Sequence, residues 1–200
     1  FKAVRKMNVP LVFFDRAFGE LEDNRVVFDD RTGTLEAMHR LIAAGYRKIA
    51  HFAGYAKTSV GKERCSAYLE ALHEHQIPVA REWIIEGGYE IEDGFRAFEK
   101  LYKTKNLPEI ILAVNDRVAL GAYKAIRRAG LRIPEDIGMG GYGFSETSQL
   151  FSPTLSIINQ DPRKMGSMSA NLLLDEIEGK SFPQGRQVLI EEDFQWNTSV

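Results

Sequence analysis

Three places in this 200-residue chain carry side chains that could do chemistry or grip a ligand: Asp15-Arg16, Arg64 and Asn115-Asp116. A carboxylate can take a proton or accept hydroxyl hydrogen bonds, a carboxamide donates and accepts at once, and a guanidinium fork suits vicinal hydroxyls or a carboxylate. Asp116 could act as a general base. It also stands where the following helix begins, and capping is the commoner role for an aspartate at an N-cap, so Asp116 is read as the cap and Asn115, at the strand tip, as the ligand contact. Arg64 lies in the first turns of a helix after the loop 54–61, and is either a solvated arginine or a clamp facing a cleft. Tyr55 and Tyr89 each follow a strand, as packed aromatics or as flat faces for a ligand ring.

The remaining reactive types form no constellation. His39, His51, His73 and His75 have no metal-ligand spacing, and a packed or solvated role is expected for each. Cys65 falls on the apolar stripe of its helix without a histidine partner, which reads as a buried, inert thiol. The acidic run Glu191-Glu192-Asp193 reads as a solvated edge. GMGGYG, residues 138–143, fits the pattern of a dinucleotide-binding turn, but its glycines fall within an apolar strand and SETSQLFSP is too short for the supporting helix. No cofactor, metal site or nucleophile–base pair is therefore expected, and an enzyme using Asp15 or Asp116 as acid or base is the weakest reading.

Alternating elements must position these residues. Short apolar runs at 10–14, 48–53, 83–86, 109–114, 137–142, 155–158 and 188–190 predict strands. Helical spacing appears between them, as in Leu35, Met38, Ile42 and in Ala119, Ala122, Tyr123, Ile126. This alternation predicts an α/β fold with parallel strands and crossover helices. Gly45, Gly130 and Gly179 mark helix ends, and Asp161-Pro162 marks a helix start. Open sheets of this kind bind ligands beyond the carboxyl ends of their strands, where this chain places charges, amides and aromatics suited to a polyhydroxylated or heterocyclic small molecule.

Composition bounds the rest. Twenty-six basic against 28 acidic residues give a net charge of −2, which leaves no basic footprint for nucleic acid on this chain alone. One cysteine excludes an internal disulfide, and no apolar run approaches the ~20 residues needed to span a bilayer, so a cytoplasmic setting is expected. The opening FKAVRKMNVPLVFFD is not a secretory signal. Its strand arrives so early that the chain reads as beginning partway through a domain.

Several segments, in order, carry a resemblance. VPLVFFDR, HRLIAAGYRKIAHFAG, ERCSAYLEAL, NDRVALGAYKAIRRAGLRIPEDI and SPTLSIINQD resemble the effector domain of LacI/GalR-type bacterial transcription regulators. The resemblance implies a two-lobed, periplasmic-binding-protein-like fold with an effector in its cleft and an incomplete N-terminal lobe. Residues 1–28 and 161–180 are assigned to that lobe, and 29–160 and 181–200 to the C-terminal lobe, with crossovers near Phe28 and Gln160-Asp161. It further implies a homodimer that reaches operator DNA only through a helix-turn-helix head not included here.

The resemblance also assigns roles. It places Asp15, Arg64, Tyr89 and Asn115 against the effector, Thr58 in a loop lining the cleft and Gln160 at the hinge. One departure stands out: after Gly-Tyr such proteins commonly carry aspartate, whereas this chain has Gly143 and Phe144. The resulting expectation is a non-enzymatic repressor part that senses a sugar or sugar derivative. A solute-binding protein of the same fold, outside the cytoplasm, is the alternative.

Overall fold

Period-2 and period-3.6 apolar patterns are realised as two α/β units in a computed structural model that describes residues 2–5, 7, 9–16, 23–180 and 185–200. In chain order the elements are α1 (Lys2–Arg5), β1 (Val12–Phe14), β2 (Asn24–Phe28), α2 (Asp30–Ala43), β3 (Ile49–Ala53), α3 (Ser59–Glu74), β4 (Ile84–Glu86), α4 (Ile91–Lys103), β5 (Ile110–Ala113), α5 (Asp116–Arg128), β6 (Gly138–Gly143), α6 (Ser145–Ser148), β7 (Ser156–Asn159), α7 (Pro162–Ile177), β8 (Gln187–Ile190) and β9 (Asp193–Gln195).

The smaller unit comprises Phe1–Asp29 and Asp161–Glu191. Its parallel sheet has the order β1-β2-β8, and α7 packs Met165 and Leu172 onto Val26 and Ile190. Asp161 opens α7 by accepting hydrogen bonds from the amides of Arg163, at 2.8 Å, and Lys164, at 3.4 Å, with Pro162 in the first turn. Gly179 closes that helix at φ 83°, a conformation that side chains with a Cβ resist.

In the larger unit, Asp30–Gln160 and Glu192–Val200, six strands run in the order β4-β3-β5-β6-β7-β9, all parallel except the edge strand β9. Side chains alternate across the sheet. Ile49, Ile110 and Leu112 face α2 and α3, while Ala50, Phe52, Ile111 and Ala113 face α4 and α5. Burial on both faces explains why these strands read as continuous apolar runs. GMGGYG is strand β6, as its apolar setting suggests.

The structure departs from the sequence reading in four places. Trp83 ends a single 3-10 turn, Arg81–Trp83, rather than starting a strand: its backbone amide donates to the Ala80 carbonyl at 3.0 Å, and its indole Nε1 donates to the Asn106 carbonyl at 2.9 Å. Strands β2 and β9 have no counterpart among the expected strands: β9 carries a single apolar residue, and the run Val26-Val27-Phe28 in β2 is too short to show a period. Residues 181–200 do not all belong with the larger unit: β8 pairs in parallel with β2, from Arg25↔Gln187 to Phe28↔Ile190, and the third crossing falls between Glu191 and Glu192. Residues 181–184 of that range lie outside the described residues. No helix among the described residues is long and apolar enough to cross a membrane.

His51 is packed rather than solvated. It is fully buried in β3, its Nδ1 lies 2.8 Å from the Leu112 carbonyl, and its ring stacks on Tyr68. Burial, opposed by the Leu112 hydrogen bond and aided by Arg64, lowers its pKa to about 4. A folded-state value below the unfolded 6.5 means that the unfolded chain binds the extra proton. Stability is thus fully present above pH 6.5 and falls as pH drops towards 4. Between pH 7 and 5 the loss from this one residue should approach about 2 kcal/mol. Urea unfolding at the two pH values checks this, with His51→Gln expected to shrink the difference by that amount.

Candidate functional site

Strand order reverses between β3 and β5: the chain steps outward from β3 to β4, then returns past β3 to β5, β6 and β7. A reversal of this kind opens a crevice at the carboxyl ends of the two strands, where α/β sheets bind ligands. Arg64 is placed there by α3. It is 4% exposed, its Nε donates to Asp30 Oδ1 at 2.7 Å, a terminal nitrogen donates to the Val114 carbonyl at the tip of β5, and Cζ sits 3.8 Å over the Tyr142 ring. Burial by itself opposes the guanidinium charge. Asp30 most of all, then Tyr142 and Glu192, outweigh it and hold the pKa above the usual arginine value. The Tyr142 hydroxyl bonds Thr34 Oγ1, which donates to the Asp30 carbonyl.

A second cluster joins the tips of β3, β4 and β5. Thr58 is the N-cap of α3: its Oγ1 accepts from the Gly61 amide at 3.1 Å and bonds the Tyr89 hydroxyl. The Tyr89 ring covers Gly54, where an added Cβ would lie 2.5 Å from it, and meets Tyr55 edge-on with centroids 5.8 Å apart. Asn115 Nδ2 donates to the Tyr89 carbonyl at 3.0 Å.

Asn115, not Asp116, caps α5. Its backbone is extended, at φ −159° and ψ 174°, and Oδ1 accepts from the Val118 amide at 2.8 Å, whereas Asp116 is already the first helical residue. Asparagine and aspartate cap about equally well, so residue type could not place the helix start between them. Asp116 is thereby turned towards β6. It accepts from Thr147 Oγ1 at 3.3 Å, and a Cβ on Gly143 would stand 3.0 Å from its Oδ2. Gly143 thus leaves room for a neighbouring carboxylate. Half-buried Phe144 follows as the residue before α6.

Gln160 acts as a donor through its side chain. Its Nε2 reaches Asp30 Oδ1 at 3.3 Å and also Glu192 Oε1, while its backbone amide donates to the Gly143 carbonyl at 2.7 Å. Asp15 belongs to the smaller unit, where it is exposed at the tip of β1 with φ 62° and its amide donates to the Val26 carbonyl at 3.1 Å. Within the larger unit, then, Arg64 and Gln160 meet through Asp30, Thr58 and Asn115 meet through Tyr89, and Gly143 and Phe144 adjoin Asp116.

Sequence reasoning missed Asp30, Thr34 and Glu192. Glu192 is drawn inward rather than forming a solvated edge, because Gly33 leaves a seat for it: a Cβ at Gly33 would lie 2.2 Å from Glu192 Oε2. A glycine inside the first turn of α2, otherwise unfavourable in a helix, is the signal that could have found it. Among the described residues no group of three His, Cys, Asp or Glu could hold a metal ion.

Residues 38–196 match the family described as periplasmic binding protein-like domain. The chain is 34% identical over 171 residues to the HTH-type transcriptional repressor PurR of Actinobacillus pleuropneumoniae serotype 3, covering 86% of the chain and 51% of that repressor. It is 32% identical over 197 residues to the probable HTH-type transcriptional repressor ExuR of Bacillus subtilis, covering 98% of the chain and 59% of that protein. Among solved structures, a complex of the transcriptional regulator CelR with cellobiose superposes with a TM-score of 0.88 at 29% identity, over 96% of this chain and 59% of that one. The chain spans 51% and 59% of the lengths of the two repressors.

Proposed function

From the premise that this chain belongs to the periplasmic-binding-protein-like domain family, in the form found in LacI-type transcription regulators, we propose that it is the effector-sensing part of a cytoplasmic repressor that responds to a sugar or sugar derivative. The relatives are transcription regulators rather than enzymes, and the chain has no catalytic role in this reading. It works as a homodimer and meets operator DNA through a helix-turn-helix head outside these residues.

The observation that carries the reading is the set of groups gathered at the strand reversal. Tyr55, exposed and edge-on to the buried Tyr89 that Thr58 and Asn115 hold, offers an aromatic face; Phe144 offers a second apolar surface; and Asp116 supplies a carboxylate beside the space left by Gly143. An aromatic face with a hydroxyl-accepting carboxylate is a sugar-binding chemistry, and here the carboxylate comes from the start of α5 rather than the tip of β6. Asp15 and Arg64 are further effector contacts in this reading, and Gln160 lies at a crossing. The effector acts by binding two conformations with different affinity, which shifts their populations.

Calorimetric titration with ribose, hexoses, cellobiose and sugar acids tests it. One class should bind saturably and, at a hundredfold excess over Kd, add about 2.7 kcal/mol to stability. Asp116→Asn should weaken that binding about tenfold or more, the effect of losing one charged hydrogen bond. Absence of saturable binding across the panel overturns the sugar assignment.

A further inference from the structure

We propose that Glu192 is a positioning residue that ties together the three points where the chain enters and leaves the larger unit, so that the crossings move as one. Asp30 is the first residue of that unit after the first crossing, Gln160 the last before the second, and Glu192 the first after the third. They are 130 and 32 residues apart along the chain, yet one carboxamide joins them: Gln160 Nε2 donates to Asp30 Oδ1 and to Glu192 Oε1. An amide nitrogen carries two hydrogens, and here each has its own carboxylate.

Two further features show that Glu192 is seated rather than merely nearby. Gly33 lacks the Cβ that would collide with both Oε2 and Cβ of Glu192, at 2.2 and 3.0 Å. Arg64, already paired with Asp30, also feels the Glu192 charge, so one buried cation serves two carboxylates. When the Asp30 or the Glu192 crossing pivots away from the larger unit, it must therefore break a hydrogen bond to the one carboxamide at the Gln160 crossing. The inference concerns the chain's own mechanics and does not depend on which effector binds.

Native-state hydrogen exchange on the chain tests the clasp. Amides at 29–31, 159–161 and 190–193 should open together, and Glu192→Ala should speed exchange in all three segments by about tenfold or more, as expected for a lost charge-assisted bond. Gln160→Met, which leaves Glu192 in place, should do the same, and the double variant should add little to either. Glu192→Gln keeps a carbonyl acceptor and should restore slow exchange. Throughout, Ile111 and Leu112 in the middle of β5 should remain as protected as in the parent chain. Faster exchange confined to 190–193, or equally faster exchange in β5, overturns the proposal.

Discussion

Arg64→Ala should lower the unfolding free energy by about 3–5 kcal/mol, the range for removing one partner of a buried ion pair. The substitution strands more than a contact. Asp30 loses the guanidinium that pairs with it, the Val114 carbonyl loses the same group, and the Tyr142 ring loses the cation 3.8 Å above it. Arg64→Lys should recover little, because one ammonium cannot span Asp30 and Val114 as the planar fork does. Arg64→Met with Asp30→Leu should be milder than Arg64→Ala alone, since the carboxylate in direct contact with Arg64 is then removed together with its partner. Urea unfolding of the three variants decides it, and a loss below about 1 kcal/mol for Arg64→Ala would mean that the network contributes little. The same geometry warns against Arg64→Ala as a probe of effector binding: lost affinity would be inseparable from a damaged fold. Asp116→Asn, at a half-buried helix start, separates the two.

The central sheet was legible because β3 and β5 are buried on both faces, with His51 the one polar residue in either strand. The helix punctuation at Gly130, Gly179 and Asp161 was legible for local reasons, since φ and capping chemistry depend only on neighbours in sequence. Strand β9, DFQ, was not: it buries a single phenylalanine, and its place comes from backbone pairing with β7. The site divides in the same way. Tyr89, Asn115 and Arg64 follow strands or open helices, so topology alone points to them. Asp30 is one of two adjacent aspartates, and Glu192 one of three adjacent acids. Only long-range contact with Arg64, Gln160 and Gly33 shows which member of each run turns inward.

Gly121→Ala should also destabilise strongly, by about 3 kcal/mol, although replacing a helical glycine with alanine ordinarily stabilises by up to about 1 kcal/mol. The reversal of sign comes from how α4 and α5 approach. A Cβ at Gly121 would lie 1.8 Å from the Ile91 carbonyl oxygen and 2.8 Å from the Phe95 amide, and one at Gly94 would lie 1.9 Å from the Val118 carbonyl oxygen. Two glycines facing each other's backbone let the helices touch, and backbone cannot move aside as a side-chain tip can. The helices must separate, which opens the packing of Phe98 and Leu101 against Ala122 and Ile126. The damage should reach the candidate site, because α5 begins at the Asn115 cap while α4 follows directly after Tyr89, and Asn115 Nδ2 bridges the two at 3.0 Å. Gly166→Ala is the matched control. That glycine lies within α7, is exposed, and has nothing within 4 Å of an added Cβ, so the substitution should stabilise by about 0.5–1 kcal/mol. Opposite signs in a denaturant titration would show that close helix approach, rather than glycine's intrinsic cost, sets the effect at Gly121; a shared sign would refute the backbone contact between α4 and α5.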